Sequence, residues 1–151
     1  MRYKNLIKGE IGIIEKKTFK LDLQTCVGTI LYGNALVEAA HGLIPEGIGS
    51  GYQNPLLVVP KGIEELMHLI KSKSDKNLRA LLFGGKIEPS KIGIRNSEQA
   101  RKILEKLKIP IKMDLTKGIY HDTSVMVHPD RFEVKSPGFK SILSRKFSEL
   151  K

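Results

Sequence analysis

The sequence predicts a single mixed α/β domain of the layered, α+β kind, and three observations point there. The first half holds short runs of β-branched and aliphatic residues broken by turn formers, which is the strand signature. Two later segments instead repeat their apolar residues at helical spacing and are interleaved with further strands. The third is bulk: 151 residues with 40% hydrophobic content suffice for one compact core. Strands first, then helices alternating with strands, fit a layered domain better than a doubly wound parallel fold. No internal repeat is apparent.

In chain order, Gly12 to Glu15, Thr18 to Leu23 and Cys26 to Tyr32 read as strands. Gly33-Asn34 marks a tight turn, and Ala35 to Leu43 is the partner strand of a hairpin. The stretch from Pro45 through Gly47, Gly49 and Gly51 to Pro55 reads as a loop. Ile63, Leu66, Met67 and Ile70 give an amphipathic helix from about Lys61 to Ser72. Leu78 to Phe83 returns to strand, ended by Gly84-Gly85 and Pro89. Ile92 to Ile94 reads as a short extended piece before Asn96, which with Gln99 three residues on has the form of a helix cap. The helix that follows shows Ala100, Ile103, Leu104 and Leu107 on one face and is limited by Pro110. Ile111 to Met113 is a further strand, and Ser124 to His128 with Arg131 to Lys135 form a hairpin across Pro129-Asp130. In the tail, Phe139, Ile142, Leu143 and Phe147 share one helical face, which predicts a docking helix.

A single cysteine precludes an internal disulfide and fits a reducing cytoplasm. No run approaches the roughly 20 apolar residues of a membrane span, and no signal-peptide pattern opens the chain. The net charge of +10 predicts attraction to polyanions. Aromatic content is low and there is no tryptophan, so an acidic protein partner ranks above nucleic acid. Neither a metal nor a cofactor is expected, since the histidines lack ligand spacing; His68 and His128 are read as surface residues.

Cys26 and His41 are the pair with chemical potential. They lie on two extended segments joined by a short turn, so antiparallel pairing sets them side by side. A thiol nucleophile needs a neighbouring imidazole to lower its pKa and carry its proton.

Four blocks, Leu23-Gln24-Thr25-Cys26-Val27, His41-Gly42-Leu43-Ile44-Pro45, Phe83-Gly84-Gly85-Lys86 and Ile92-Gly93-Ile94-Arg95-Asn96, resemble in order and spacing the chemoreceptor glutamine deamidase (CheD) family. The likeness runs from about Gly9 to Lys135, which sets a deamidase-like domain over 1–135 and a basic amphipathic tail over 136–151. The resemblance implies a layered α/β/α sandwich with a mixed, largely antiparallel sheet, and Cys26 and His41 as catalytic residues. It also implies hydrolysis of glutamine side chains, and the same chemistry would cleave glutamyl methyl esters, on methyl-accepting chemotaxis receptors, with a chemotaxis phosphatase as a second partner. Thr25, Gly84, Gly85, Arg95 and Asn96 form the expected substrate-binding set. Beside that reading, the glycine pair also fits a plain turn and Asn96 a plain helix cap.

The chain departs from the family pattern at several positions. Lys20 stands where the family has its third catalytic residue, a threonine. Thr18, Asp22 or a backbone carbonyl are the candidates to hold the second imidazole nitrogen in its place. Gln24 and Thr25 replace small residues, Val37 and Glu38 replace glycines, and His121 stands where an arginine is expected after the Asp114 segment. These departures make an inactive relative, acting as a binding module for a receptor or phosphatase, the alternative reading.

Overall fold

In a computed structural model of the chain, residues 3–14, 17–43, 45, 54–72, 76–87, 91–117, 121–135 and 143–151 are described. The expected loop at 46–53, and Phe139 and Ile142 of the tail, lie outside them. The domain is a mixed α/β fold, with two five-stranded sheets and two α-helices among the described residues.

The first sheet runs β1 (Tyr3–Asn5), β3 (Thr18–Leu23), β8 (Thr123–Val127), β9 (Arg131–Lys135) and β10 (Leu143–Lys146). The second runs β2 (Ile11–Ile13), β5 (Val37–Gly42), β4 (Val27–Tyr32), β6 (Arg79–Gly84) and β7 (Ile111–Leu115). Pairing is antiparallel except for β1 with β3 and β6 with β7. Helices α1 (Val59–Ser72) and α2 (Ile92–Lys106) pack on each other and on β4, β5 and β6.

Alternation along the central strands explains the layers. On β4, Ile30 and Tyr32 face one core with Leu21, Val125, Val127 and Phe132 of the first sheet. Val27 and Leu31 face the other, with Ile63, Leu66 and Ile70 of α1 and Ala100, Ile103 and Leu104 of α2. β4 is buried along its whole length because both of its faces are covered. The layer order is therefore sheet, sheet, helices. The α/β/α order implied by the resemblance is not the one observed: both helices cover the same face of the second sheet, and the first sheet takes the place of the second helical layer.

Four local expectations are corrected. Ile92–Ile94 is the first turn of α2 and not an extended piece. Gly93 allows this, because a side chain there would collide with the carbonyls of Gly85 and Lys86, so glycine lets the helix start press onto the β6 end. Asn96 consequently sits inside α2 instead of capping it. His128 is 5% exposed, with Nδ1 at 2.9 Å from Thr18 Oγ1, and is a core histidine and not a surface one. In the tail, Leu143–Lys146 adds a strand to β9, and Phe147 is buried between Tyr32 and Phe132, at ring separations of 5.1 and 5.7 Å. Residues 143–151 thus belong to the domain, and the helical spacing of Leu143 and Phe147 is not realised as a helix. β1 has no strand signal in the sequence: its three residues are exposed, and only pairing with β3 orders it.

Replacing Phe147 by alanine removes a buried ring from both aromatic contacts and costs about 3 kcal/mol. Urea unfolding should show this as a lower midpoint with unchanged slope; an unchanged midpoint would mean the tail is not part of the cooperative unit.

Candidate active site

The β4–β5 hairpin pairs Gly28 with His41 and Val27 with Gly42. Cys26, in the bend just before β4, and His41, near the end of β5, therefore lie at the same end of the hairpin. Both side chains face the core between the sheets, since Cys26 belongs to the same core cluster as Leu23, Ile30 and Ala39, and His41, two residues after Ala39, shares its face of β5. Gly28, opposite His41, has no room for a side chain, because Leu21 and Leu23 fill the space where its Cβ would lie.

The imidazole is oriented by the backbone. His41 Nδ1 lies 2.7 Å from the carbonyl oxygen of Leu6. A carbonyl only accepts, so Nδ1 carries the proton and Nε2 is the basic nitrogen. Nε2 is buried and makes no hydrogen bond with any described residue. Leu6 is itself pinned, its N–H donating to Lys20 O at 2.8 Å. Of the three candidate orienters, a backbone carbonyl fills the role. Thr18 is turned to His128, and Asp22 accepts from Ser124 Oγ at 2.8 Å. Lys20 contributes its main chain alone; its ammonium lies 3.8 Å from Asp22 and over the Tyr3 ring.

Cys26 sits in a bend at 24–26 whose three carbonyls are all bonded inward. Lys86 N–H donates to Gln24 O and Gly85 N–H to Cys26 O, each at 2.8 Å, and Asn96 Nδ2 donates to Thr25 O at 2.9 Å. Because N–H and C=O of a trans peptide point opposite ways, the amides of Thr25 and Cys26 are turned outward, away from β6 and α2. Neither donates to a described backbone carbonyl, so the pair resembles the two-donor arrangement that holds an oxyanion.

Gly84 and Gly85 make this possible. Both have positive φ, +89° and +71°, and a side chain on Gly84 would strike the Cys26 carbonyl. Asn96 is fully buried, and its Nδ2 also donates to Leu43 O at 2.9 Å. One side chain thus ties the start of β4, beside Cys26, to the end of β5, beside His41. Asn96, Gly84 and Gly85 shape the backbone around the pair and are not placed to touch a substrate. Arg95 is exposed on α2, on a groove shared with Glu98 and Lys102, and does not line the cleft over Cys26. Thr25 does.

That cleft, of about 540 Å³, is lined by Gln24, Thr25, Cys26 and Leu43, and by the charged residues Lys8, Asp22, Asp122 and Lys135. The sequence reading missed Lys8 and Lys135, since scattered lysines carry no spacing that distinguishes a cleft from a solvated face. It also missed the Leu6 carbonyl, which has no side-chain signature.

Burial sets the protonation states. Desolvation pushes the Cys26 thiol above its ordinary value, against smaller lowering effects from Lys8 and from its own backbone N–H. Desolvation also pushes His41 below its ordinary value, against the Leu6 carbonyl that favours its charged form. The sequence led to the expectation of a thiol ionised by its imidazole; burial instead favours the neutral form of each group. Both groups are too buried, at 5% and 4% exposure, for an ion pair to be favoured at rest.

The chain matches no family model and no curated protein sequence.

Replacing Asn96 by alanine takes the side-chain donor from two part-buried carbonyls, those of Thr25 and Leu43, and costs about 1–3 kcal/mol. The variant should melt earlier and, at temperatures where it remains folded, show altered Cys26 alkylation kinetics. Unaltered kinetics would mean that the clamp does not position the thiol.

Proposed function

We propose that this chain is a cysteine-dependent hydrolase that converts glutamine side chains to glutamate on methyl-accepting chemotaxis receptors, acting in the cytoplasm. The observation that carries the reading is the orientation of His41: its Nδ1–H is held by a carbonyl, and its unpartnered Nε2 lies on the sheet face that bears the only cysteine. The choice of glutamine and of receptors rests on the resemblance of the four sequence blocks. Among the described residues no helix is long and apolar enough to cross a membrane.

The neutral pair implies general-base attack. As the Cys26 sulfur approaches the side-chain carbonyl carbon of the glutamine, His41 Nε2 takes the thiol proton, which is why a neutral thiol suffices. The carbonyl oxygen becomes an oxyanion facing the Thr25 and Cys26 amides. When the tetrahedral intermediate collapses, the carbon–nitrogen bond breaks and His41 gives its proton to the departing ammonia. Water then attacks the thioester with His41 again accepting a proton, releasing glutamate and restoring the thiol. A glutamyl methyl ester would follow the same path with methanol leaving. The low exposure of Cys26 and the lysine at position 20 favour, as the second reading, a binding module for a receptor or a chemotaxis phosphatase.

Ammonia release from a glutamine-containing receptor fragment should fall on the order of a thousandfold or more in Cys26→Ser and His41→Ala. His41 must be neutral to act and burial lowers its pKa, so activity persists to lower pH than an ordinary imidazole base would allow. A rate that instead rises from neutrality with thiol ionisation would contradict general-base attack. A Cys26→Ser variant that keeps receptor binding while the parent releases no ammonia would establish the binding module.

A further inference from the structure

The walls of the cleft carry two acids and two bases, but their charges do not cancel locally. Asp22 is occupied by Ser124 Oγ at 2.8 Å and Lys20 Nζ at 3.8 Å. Asp122 is paired with Lys86 Nζ at 3.0 Å. Each cleft carboxylate is thus met by a lysine that is not itself a lining residue. Glu10, two residues from Lys8, is turned back to accept from the Ile7 amide at 2.9 Å. Lys8 and Lys135 are exposed, and neither has a carboxylate partner among the described residues. The field in the cleft is therefore set by two ammonium groups, supplied by the segment before β2 and by the end of β9. Lys8 is near enough for its charge to act on both Cys26 and His41.

We propose that Lys8 and Lys135 make the cleft selective for anionic substrates, so that the glutamine it takes lies in an acidic peptide segment whose carboxylates are bound by these two lysines. Two flexible ammonium groups suit carboxylates of varied position, because lysine acts as a point charge and not as a geometrically fixed fork. The acids on the same walls are already paired with Lys20 and Lys86, so a lysine-rich peptide would meet net repulsion. The bond that is broken rests on the hydrolase reading above; the charge selection does not.

The test uses the full chain and two thiol reagents of similar size and opposite demand, neutral iodoacetamide and anionic iodoacetate, followed by glutamine peptides flanked by glutamate or by lysine. In the parent, iodoacetate should be favoured relative to a free thiol. Lys8→Gln and Lys135→Gln should each lower the iodoacetate-to-iodoacetamide rate ratio roughly threefold to tenfold, an effect that shrinks with added salt. The peptide series should show higher kcat/KM for the acidic flank, lost in the double variant. Both lysines are exposed, so the variants should melt with the parent. A reagent ratio unchanged in the double variant overturns the proposal, whatever the peptides do. A ratio that responds to the lysines without ammonia from any peptide supports the charge selection and counts against the hydrolase reading instead.

Discussion

The inward bonding of three consecutive carbonyls, Gln24, Thr25 and Cys26, is the constraint on which the rest of the site depends. A chain cannot turn three carbonyls the same way within a regular strand, so it bends just before β4, and the bend needs donors from outside its own sheet pairing. Two come from the backbone after β6, which must double back through Gly84 and Gly85 at positive φ. The third comes from Asn96, which requires α2 to begin early and lie close, and Gly93 provides that closeness. Three glycines and one asparagine from two distant segments therefore serve a single geometric end: a cysteine presented at the mouth of the sheet sandwich with its own amide turned outward.

Much of this frame was legible in the sequence because binary pattern and turn chemistry are local. The hairpin around Gly33-Asn34, with Cys26 and His41 at its open end, follows from two apolar runs and a turn dipeptide. The face of α1 follows from Ile63, Leu66 and Ile70. What was not legible depends on tertiary contact. Ile92-Gly93-Ile94 has strand-like composition, and only the packing of Gly93 on Gly85 makes it helical. Asn96 carries the signal of a cap, but a polar side chain in a helix can equally be recruited by carbonyls 53 and 71 residues away. Residues 143–146 form a strand because β9 offers an open edge, not because of their spacing. The layer order also escaped, since alternation along β4 says that both faces are covered without saying by what.

The site has a cost that follows from its position. Placing a thiol and an imidazole between two sheets removes both from water, and each responds by favouring its neutral form. A preformed thiolate–imidazolium pair would need more solvation than this pocket supplies. The arrangement retains a base of fixed tautomer, because the one carbonyl that reaches the ring, that of Leu6, settles which nitrogen holds the proton. The chain thus replaces a side-chain orienter with main chain, and Lys20 is accommodated with its ammonium outside the core while its carbonyl holds Leu6 in place.

The most direct test of this account is nitrogen NMR of the His41 ring in uniformly labelled protein at neutral pH, assigned by comparison with His41→Ala. The account predicts a neutral ring with the proton on Nδ1 and an unprotonated Nε2, which protonates only at lower pH than an ordinary histidine. A doubly protonated ring at neutral pH, or a proton on Nε2, would contradict it.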